Sequence, residues 1–347
     1  MTEILRLLDT VTVAAPTRPD EPTLVVRGTR VLRIRNADGT VDAALSRLRD
    51  GVAATELADG LAAQLVTALD RLGWLTREQP HREGIAGWDR QAGWWATLTS
   101  TPREAQRRLA ASRVAVLGLG GVGALVAQHL VAGGVQQLWL VDYDTVAAHN
   151  LNRTYLYRRN DIGRPKTEAA AESLSGLADD LELRLVPLRV ERPADLDRLS
   201  ETPELLVVAA DTPRDLMDTV WRWAQPHGVP VLGAGVGLES GYWGPMLDPR
   251  RGHCWFCVEE DRQARLTADE RRLEAAASPT PYSFGPTNAL IADLVARDSM
   301  LFLALGRCPS LGRRQVIDVL GIGTEPLEPA PVPGPAGGCR IHAEGKS

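Results

Sequence analysis

Residues 113–142 read RVAVLGLGGVGALVAQHLVAGGVQQLWLVD. Arg113 to Leu117 is a short apolar run, the pattern of a strand buried on both faces. It runs into Gly118, Gly120, Gly121 and Gly123. A helical stretch follows through Leu125, Val126 and Leu130 to Gly133 and Gly134. A second apolar run, Gln137 to Val141, ends in Asp142. The whole is a strand–turn–helix–strand unit with G-x-G-x-x-G at its turn. Glycines let the backbone approach phosphate, and the helix N-terminus adds N–H groups and a positive dipole end. An acid closing the second strand can accept hydrogen bonds from ribose hydroxyls. The unit predicts an α/β fold that binds a nucleotide. By itself it favours an NAD-dependent enzyme.

The residues that follow narrow the choice. Residues 141–170 read VDYDTVAAHNLNRTYLYRRNDIGRPKTEAA: an acid, then Asn-Leu-x-Arg, then Gly-x-Pro-Lys. Residues 205–224 read LLVVAADTPRDLMDTVWRWA, a strand ending in Asp211 ahead of a helix. With the glycine turn, these motifs resemble the ThiF/MoeB family of ubiquitin-activating-like adenylating enzymes, over about residues 88–345. The resemblance implies a Rossmann-like domain that uses ATP and Mg²⁺ to turn a carboxylate into an acyl-adenylate. It also implies roles. Gly118, Gly120, Gly121 and Gly123 cradle phosphate, Asp142 holds the ribose, and Asn150 lies near the nucleotide. Arg153 and Lys166 neutralise phosphate, Asp211 binds Mg²⁺, and Asp144 is a further acidic contributor. Arg90 reaches across a homodimer to the partner subunit's ATP phosphates. Adenylation builds charge at the α-phosphorus, so such a site works by positioning and neutralisation. Singly, two residues have simpler readings: Arg153 as a solvated surface arginine, Asp211 as a helix N-cap before Thr-Pro.

Lysine usage bears on Lys166. The chain holds only Lys166 and Lys346, although arginine is plentiful. A lysine inside a motif of such a chain points to a site that needs a compact ammonium and not a planar fork.

Residues 1–80 read as a small separate module. Thr23–Val26 and Val31–Ile34 are β-rich runs, and Asn36-Ala37-Asp38-Gly39 is a turn signal between extended segments. Ala44, Leu45 and Leu48 mark one helix face, with Gly51 at its end. Thr55 and Leu57 begin a short second helix; Leu61, Leu65, Ala68, Leu69 and Leu72 form a third. Strands followed by three short helices give a winged-helix-like α+β layout. Acids and arginines nearly balance here, which argues against DNA binding. The "DGTV" turn, "LRDGVAATELADGL" and "VTALDRLGWL" resemble the PqqD-like peptide-recognition domain. That resemblance implies docking of an extended peptide as an added strand on the hairpin edge. Residues 81–101 read as a linker, and 102–347 as the adenylation domain.

The four cysteines cluster in the last third. Cys254 and Cys257 form C-x-x-C; Cys339 and His342 form C-x-x-H. Many members of the resembled family bind one structural Zn²⁺ through two such pairs, and Cys₃His is a usual structural composition. Between Asp211 and Cys254 there is no cysteine to carry a thioester, and Cys308 follows an apolar helix as core or helix end.

A formal net charge of -5 argues against a protein built to coat nucleic acid or anionic membrane. No apolar run approaches the ~20 residues of a membrane span, so the cytoplasm is the simplest address. The combined domains resemble the microcin-C-type peptide-adenylating enzymes, which implies a precursor peptide as substrate. Two other readings stay open. One is a leader-binding partner, without turnover, that delivers a precursor to a cyclodehydratase. The other is activation of a small carrier protein ending in Gly-Gly.

Overall fold

The computed structural model describes residues 3–18, 20–35, 38–78, 87–276 and 282–318. The chain divides into two compact units, Met1–Arg108 and Leu109–Ser347.

The first unit begins with β1 (Ile4–Leu7), β2 (Thr12–Ala14), β3 (Thr23–Arg27) and β4 (Arg30–Ile34). It continues through α1 (Thr40–Asp50), β5 (Val52–Ala53), α2 (Gly60–Arg71) and β6 (Leu75–Thr76). α3 (Asp89–Trp95) and α4 (Pro102–Ala111) follow. β2, β3 and β4 form an antiparallel sheet in that order; β1 lies between β5 and β6 in a second. Alternation orients the strands: Val25 is fully buried, and Leu32 and Ile34 pack on the same core. α1 buries Val41, Ala44, Leu45 and Leu48 as one stripe and ends at Gly51, whose N–H meets the Arg47 carbonyl at 2.9 Å.

Three features differ from expectation. Asp38-Gly39 leads straight from β4 into α1 and does not join two extended segments, because the Asp38 carboxylate accepts the Thr40 N–H at 3.0 Å and starts a helix; Asn36 and Ala37 lie outside the described residues. The second helix is only a 3₁₀ turn, Ala54–Leu57. The stretch taken as a linker contains α3, since Trp95 is fully buried and donates Nε1–H to Gln106 Oε1 at 2.9 Å.

The second unit carries β7 (Arg113–Leu117), α5 (Gly123–Ala132), β8 (Gln137–Val141), α6 (Lys166–Ser175), β9 (Glu182–Val186), β10 (Leu205–Val208) and α7 (Leu216–Ala224). β11 (Val231–Val236), β12 (Ser240–Leu247), α8 (Trp255–Arg265), α9 (Ala268–Ala276), α10 (Gly285–Leu305) and β13 (Gln315–Asp318) complete it. One sheet has the order β13-β12-β11-β10-β7-β8-β9. β11, β10, β7, β8 and β9 are parallel, and β12 and β13 add an antiparallel edge. Ala115 and Leu117 of β7 join the core cluster that includes α7 and α8. Val114 and Val116, also fully buried, alternate to the other face. Burial on both faces is why these strands read as continuous apolar runs. Among the described residues, no helix is long and apolar enough to cross a membrane.

Candidate active site

Strand order reverses between β7 and β10: the chain moves outward through β8 and β9, then returns to the other side of β7. In open α/β sheets the crevice beyond the strand ends at such a point takes the ligand. Gly118 sits there with φ +91°, and a Cβ on it would press on the Ala209 carbonyl oxygen at 2.8 Å. Glycine is required by both facts. Gly120 and Gly121 carry the turn, and Gly123 opens α5. No side chain caps that helix at Val122; the Ala124 N–H is taken by the Gly120 carbonyl at 3.1 Å, and the positive dipole end of the helix faces the turn.

The turn is clamped through the Leu119 peptide. Its N–H donates to Asp142 Oδ2 at 2.7 Å, and its carbonyl accepts from the Tyr157 hydroxyl at 2.8 Å. Burial, then the charges of Asp142 and Asp161, push the Tyr157 phenol above its ordinary range, so it stays a neutral donor. Asp142 is buried, and its Oδ1 also accepts the Asp144 N–H at 2.8 Å.

Lys166 joins both acids. It is the first residue of α6, and its backbone N–H donates to the Asp144 carbonyl at 2.9 Å. Its Nζ lies 2.9 Å from Asp144 Oδ2 and 3.6 Å from Asp142 Oδ2. The lysine side chain is 9% exposed, while that of Asp144 is 48% exposed. The arrangement is a buried ammonium held at the strand end by one buried and one solvent-facing carboxylate.

Arg153 and Asn288 meet the same turn. A Cβ at Gly121 would collide with Asn288 Oδ1 and come within 3.2 Å of Arg153 Cδ. The Arg153 guanidinium donates to the His149 carbonyl at 2.5 Å and to Asn152 Oδ1 at 3.0 Å. Asn288 is buried, with Nδ2 donating to Ser283 Oγ at 2.8 Å and to the Phe284 carbonyl at 2.7 Å. Asn150 is buried too; its Oδ1 accepts the Ala147 N–H at 2.8 Å and shapes the loop that carries Arg153.

Asp211 lies across the crevice, exposed on the loop after β10. It accepts from the Thr212 hydroxyl at 3.2 Å. α7 begins at Leu216 with Asp215 at the N-cap position, so Asp211 is not a helix cap. Arg214, on the same loop, donates to the Glu274 and Ala275 carbonyls and ties it to the end of α9.

The second unit thus brings together the glycine turn, Asp142, Asp144 and Lys166, with Arg153 packed on the turn. Arg90 belongs to the first unit, exposed on α3. Cys254 is buried at the N-cap of α8, and Cys257 sits in its first turn. Cys339 and His342 lie outside the described residues, and among the described residues no group of three or more candidate ligands could hold a metal. Cys308 is half-buried and its thiol is pushed up to about 11, chiefly by burial. Sequence reasoning passed over Tyr157 and Asn288. Nothing local marks Tyr157; Asn288 was legible as a lone carboxamide near the start of an apolar helix.

The chain is similar to several known proteins. The SAMP-activating enzyme E1 of Haloferax volcanii is 33% identical over 157 residues, 45% of this chain and 56% of its own length. The sulfur carrier protein adenylyltransferase of Thermus thermophilus is 32% identical over 159 residues, 45% of this chain and 58% of its own. The chain therefore spans little more than half of these relatives. The solved structure of E. coli MccB with ATP superposes with a TM-score of 0.77 at 21% identity, covering 97% of this chain and 99% of that one. PaaA gives a TM-score of 0.70 at 17% identity over 93% of this chain. At such identities the likeness is one of fold. The ThiF family model matches residues 90–331, more than half of the chain, and the protein is a member of the ThiF family.

Proposed function

We propose that this protein is an ATP-dependent adenylyltransferase that activates a carboxylate of a ribosomally made peptide, with residues 1–80 as the peptide-recognition domain. A carboxylate oxygen of the substrate attacks the α-phosphorus of ATP. The bond from that phosphorus to the bridging oxygen breaks, and pyrophosphate leaves. Lys166 and Arg153 neutralise the phosphates, the N-terminus of α5 and the glycine turn position them, and Asp142 orients the ribose. Asp211, an exposed carboxylate at the strand end, is a hard oxygen donor suited to Mg²⁺, with Asp144 as a further acid. Mg²⁺, when bound, supplies charge for the departing pyrophosphate. The reading includes a homodimer in which Arg90 reaches the partner subunit's nucleotide. It also includes one structural Zn²⁺ on Cys254, Cys257, Cys339 and His342; the two described thiols, three residues apart at the head of α8, are soft donors suited to it.

The observation that carries the peptide reading is coverage. The likeness to MccB extends over 97% of the chain, whereas the carrier-activating relatives match 45% of it. MccB has been solved with ATP and with N-formylated MccA. Activation of a small carrier protein is favoured only by the names of those partial relatives. The test is ATP–pyrophosphate exchange with short peptides encoded beside the gene. Peptide-dependent exchange supports the reading. Tight peptide binding without exchange would make the protein a presenting partner, and exchange only with a Gly-Gly-ended protein would favour carrier activation.

A further inference from the structure

β4 is an edge strand. It pairs with β3 on one side, and among the described residues no strand lies on its other side. An open edge exposes a row of N–H and C=O groups that a further strand can complete. The register sorts its side chains. Leu32 stands opposite Val25 and Ile34 opposite Thr23, facing the core. Val31 stands opposite Val26 and Arg33 opposite Leu24, facing solvent, with Val31 41% exposed.

The charge on this hairpin is one-sided. Arg27 and Arg30 are cross-strand partners at its turn, Arg33 lies mid-edge, and Arg35 follows the strand end. Arg30, Arg33 and Arg35 are exposed and make no ion pair among the described residues. Some arginines elsewhere in this unit do pair, Arg47 with Glu56 and Arg77 with Glu3 and Asp70, whereas Arg49 donates only to the Val13 carbonyl. Arg27 donates one N–H to the Gly73 carbonyl at 2.6 Å, but its Nη2 is buried without an acceptor. The nearby acids are engaged elsewhere: Asp38 holds the Thr40 N–H and Asp42 accepts from the Thr23 hydroxyl.

We infer that the open edge of β4 selects an extended acidic peptide segment, read by Arg33 and Arg35. This rests on the proposed peptide-recognition role of the first unit and adds the chemistry of what is recognised. A strand added along β4 sends alternate side chains to the solvent face, where the residue opposite Arg33 has its Cβ about 4.5–5.5 Å away. An acid there and another two residues along, opposite Arg35, would each meet an unpaired guanidinium. The next outward position toward the turn meets Val31 and suits an apolar residue. This mixed strip of Val31, Val26 and Leu24 beside the arginines fits a peptide strand better than a phosphate backbone.

The experiment selects a displayed library of random dodecapeptides on the full-length protein, then measures the enriched peptides by fluorescence anisotropy. Enrichment of acids two apart is expected, and each acid-to-amide change should weaken binding by roughly two- to fivefold. Arg33→Glu with Arg35→Glu should lose the acidic peptides and favour their lysine counterparts, with an unchanged melting curve. A second variant, Val31→Thr, should keep the acidic preference. Enriched peptides without acidic excess, or binding indifferent to the double charge reversal, would overturn the inference while leaving peptide capture standing. Failure to enrich any peptide, with carboxylate-dependent exchange intact, would remove peptide capture as well but not adenylation. Single-stranded oligonucleotide displacing the peptides from the arginines with equal affinity would also overturn it.

Discussion

Lys166 is the residue on which the site turns. Its ammonium is nearly buried between Asp142 and Asp144, in a chain that otherwise spends arginine freely. A guanidinium is wider and its donors are fixed in a planar fork, so the space between two carboxylates at 2.9 and 3.6 Å suits an ammonium. Lys166→Ala should lower pyrophosphate exchange by about 10²–10³. Lys166→Arg should stay near the alanine level. Circular dichroism separates this from unfolding, and recovery of full exchange in the arginine variant would sink the steric argument. Cys308 makes a contrasting prediction. Its thiol is raised from about 9 to about 11, so between those values the folded protein keeps it neutral where an ordinary thiol would ionise. Iodoacetamide at pH 8.5 should therefore label it far more slowly in folded than in unfolded protein, and Cys308→Ala should retain exchange. Labelling at equal rates would contradict the burial. At this scale much was legible. The family-like motifs singled out Lys166, Asp142 and Asp144, and the fold brings these three side chains together; their part in neutralising charge belongs to the proposal. Tyr157 was not legible, because its role lies in one hydrogen bond to Leu119 made across the fold.

At the scale of elements, the glycine turn is fixed from three sides: β7 behind it, the Asp142 carboxylate beneath Leu119, and the head of α10 against Gly121. The last contact was not foreseen, since the 3.6-residue period of an apolar helix says which face is buried but not against what. β9 was missed for a related reason. It is an edge strand with exposed Glu182 and Leu185, and half-covered strands at an edge lack the long apolar run of β7 and β8. The parallel core was plain because two covered faces demand such runs. The contact between α10 and the turn gives a cycle. Gly121→Ala drives a methyl into Asn288 Oδ1 and should raise the KM for ATP in exchange about tenfold or more. Asn288→Ala removes that obstacle and should raise it modestly, through loss of the support for the turn. The double variant should bind ATP better than Gly121→Ala alone, with a coupling of about 0.5–3 kcal/mol. Strict additivity of the two effects would show that α10 does not hold the turn.

At the scale of the whole molecule, composition and motif predicted two modules, and each unit has its own buried cluster: Leu45, Leu48, Leu69 and Trp74 in the first, Trp221, Val220 and Val231 in the second. The proposed Zn²⁺ would act over a longer span, because its donors come from Cys254 and Cys257 and from the distant Cys339 and His342. Metal that closes so long a segment contributes most through the freedom it removes from the unfolded chain, a cost that grows only slowly with loop length. Protein purified without chelator should then carry about one zinc per chain by mass spectrometry. Cys254→Ser and His342→Ala should each lose the metal, whereas Cys308→Ser, outside the donor set, should keep it. Loss of zinc should lower the melting temperature and leave the KM for ATP in surviving folded protein nearly unchanged, because the described thiols are at the head of α8 and the nucleotide crevice is at the ends of β7 and β10. Protein that carries less than about a tenth of an equivalent of zinc, or zinc that persists in both donor variants, would remove the metal from the account. The adenylation reading, which rests on the glycine turn, Lys166 and Asp211, would stand without it.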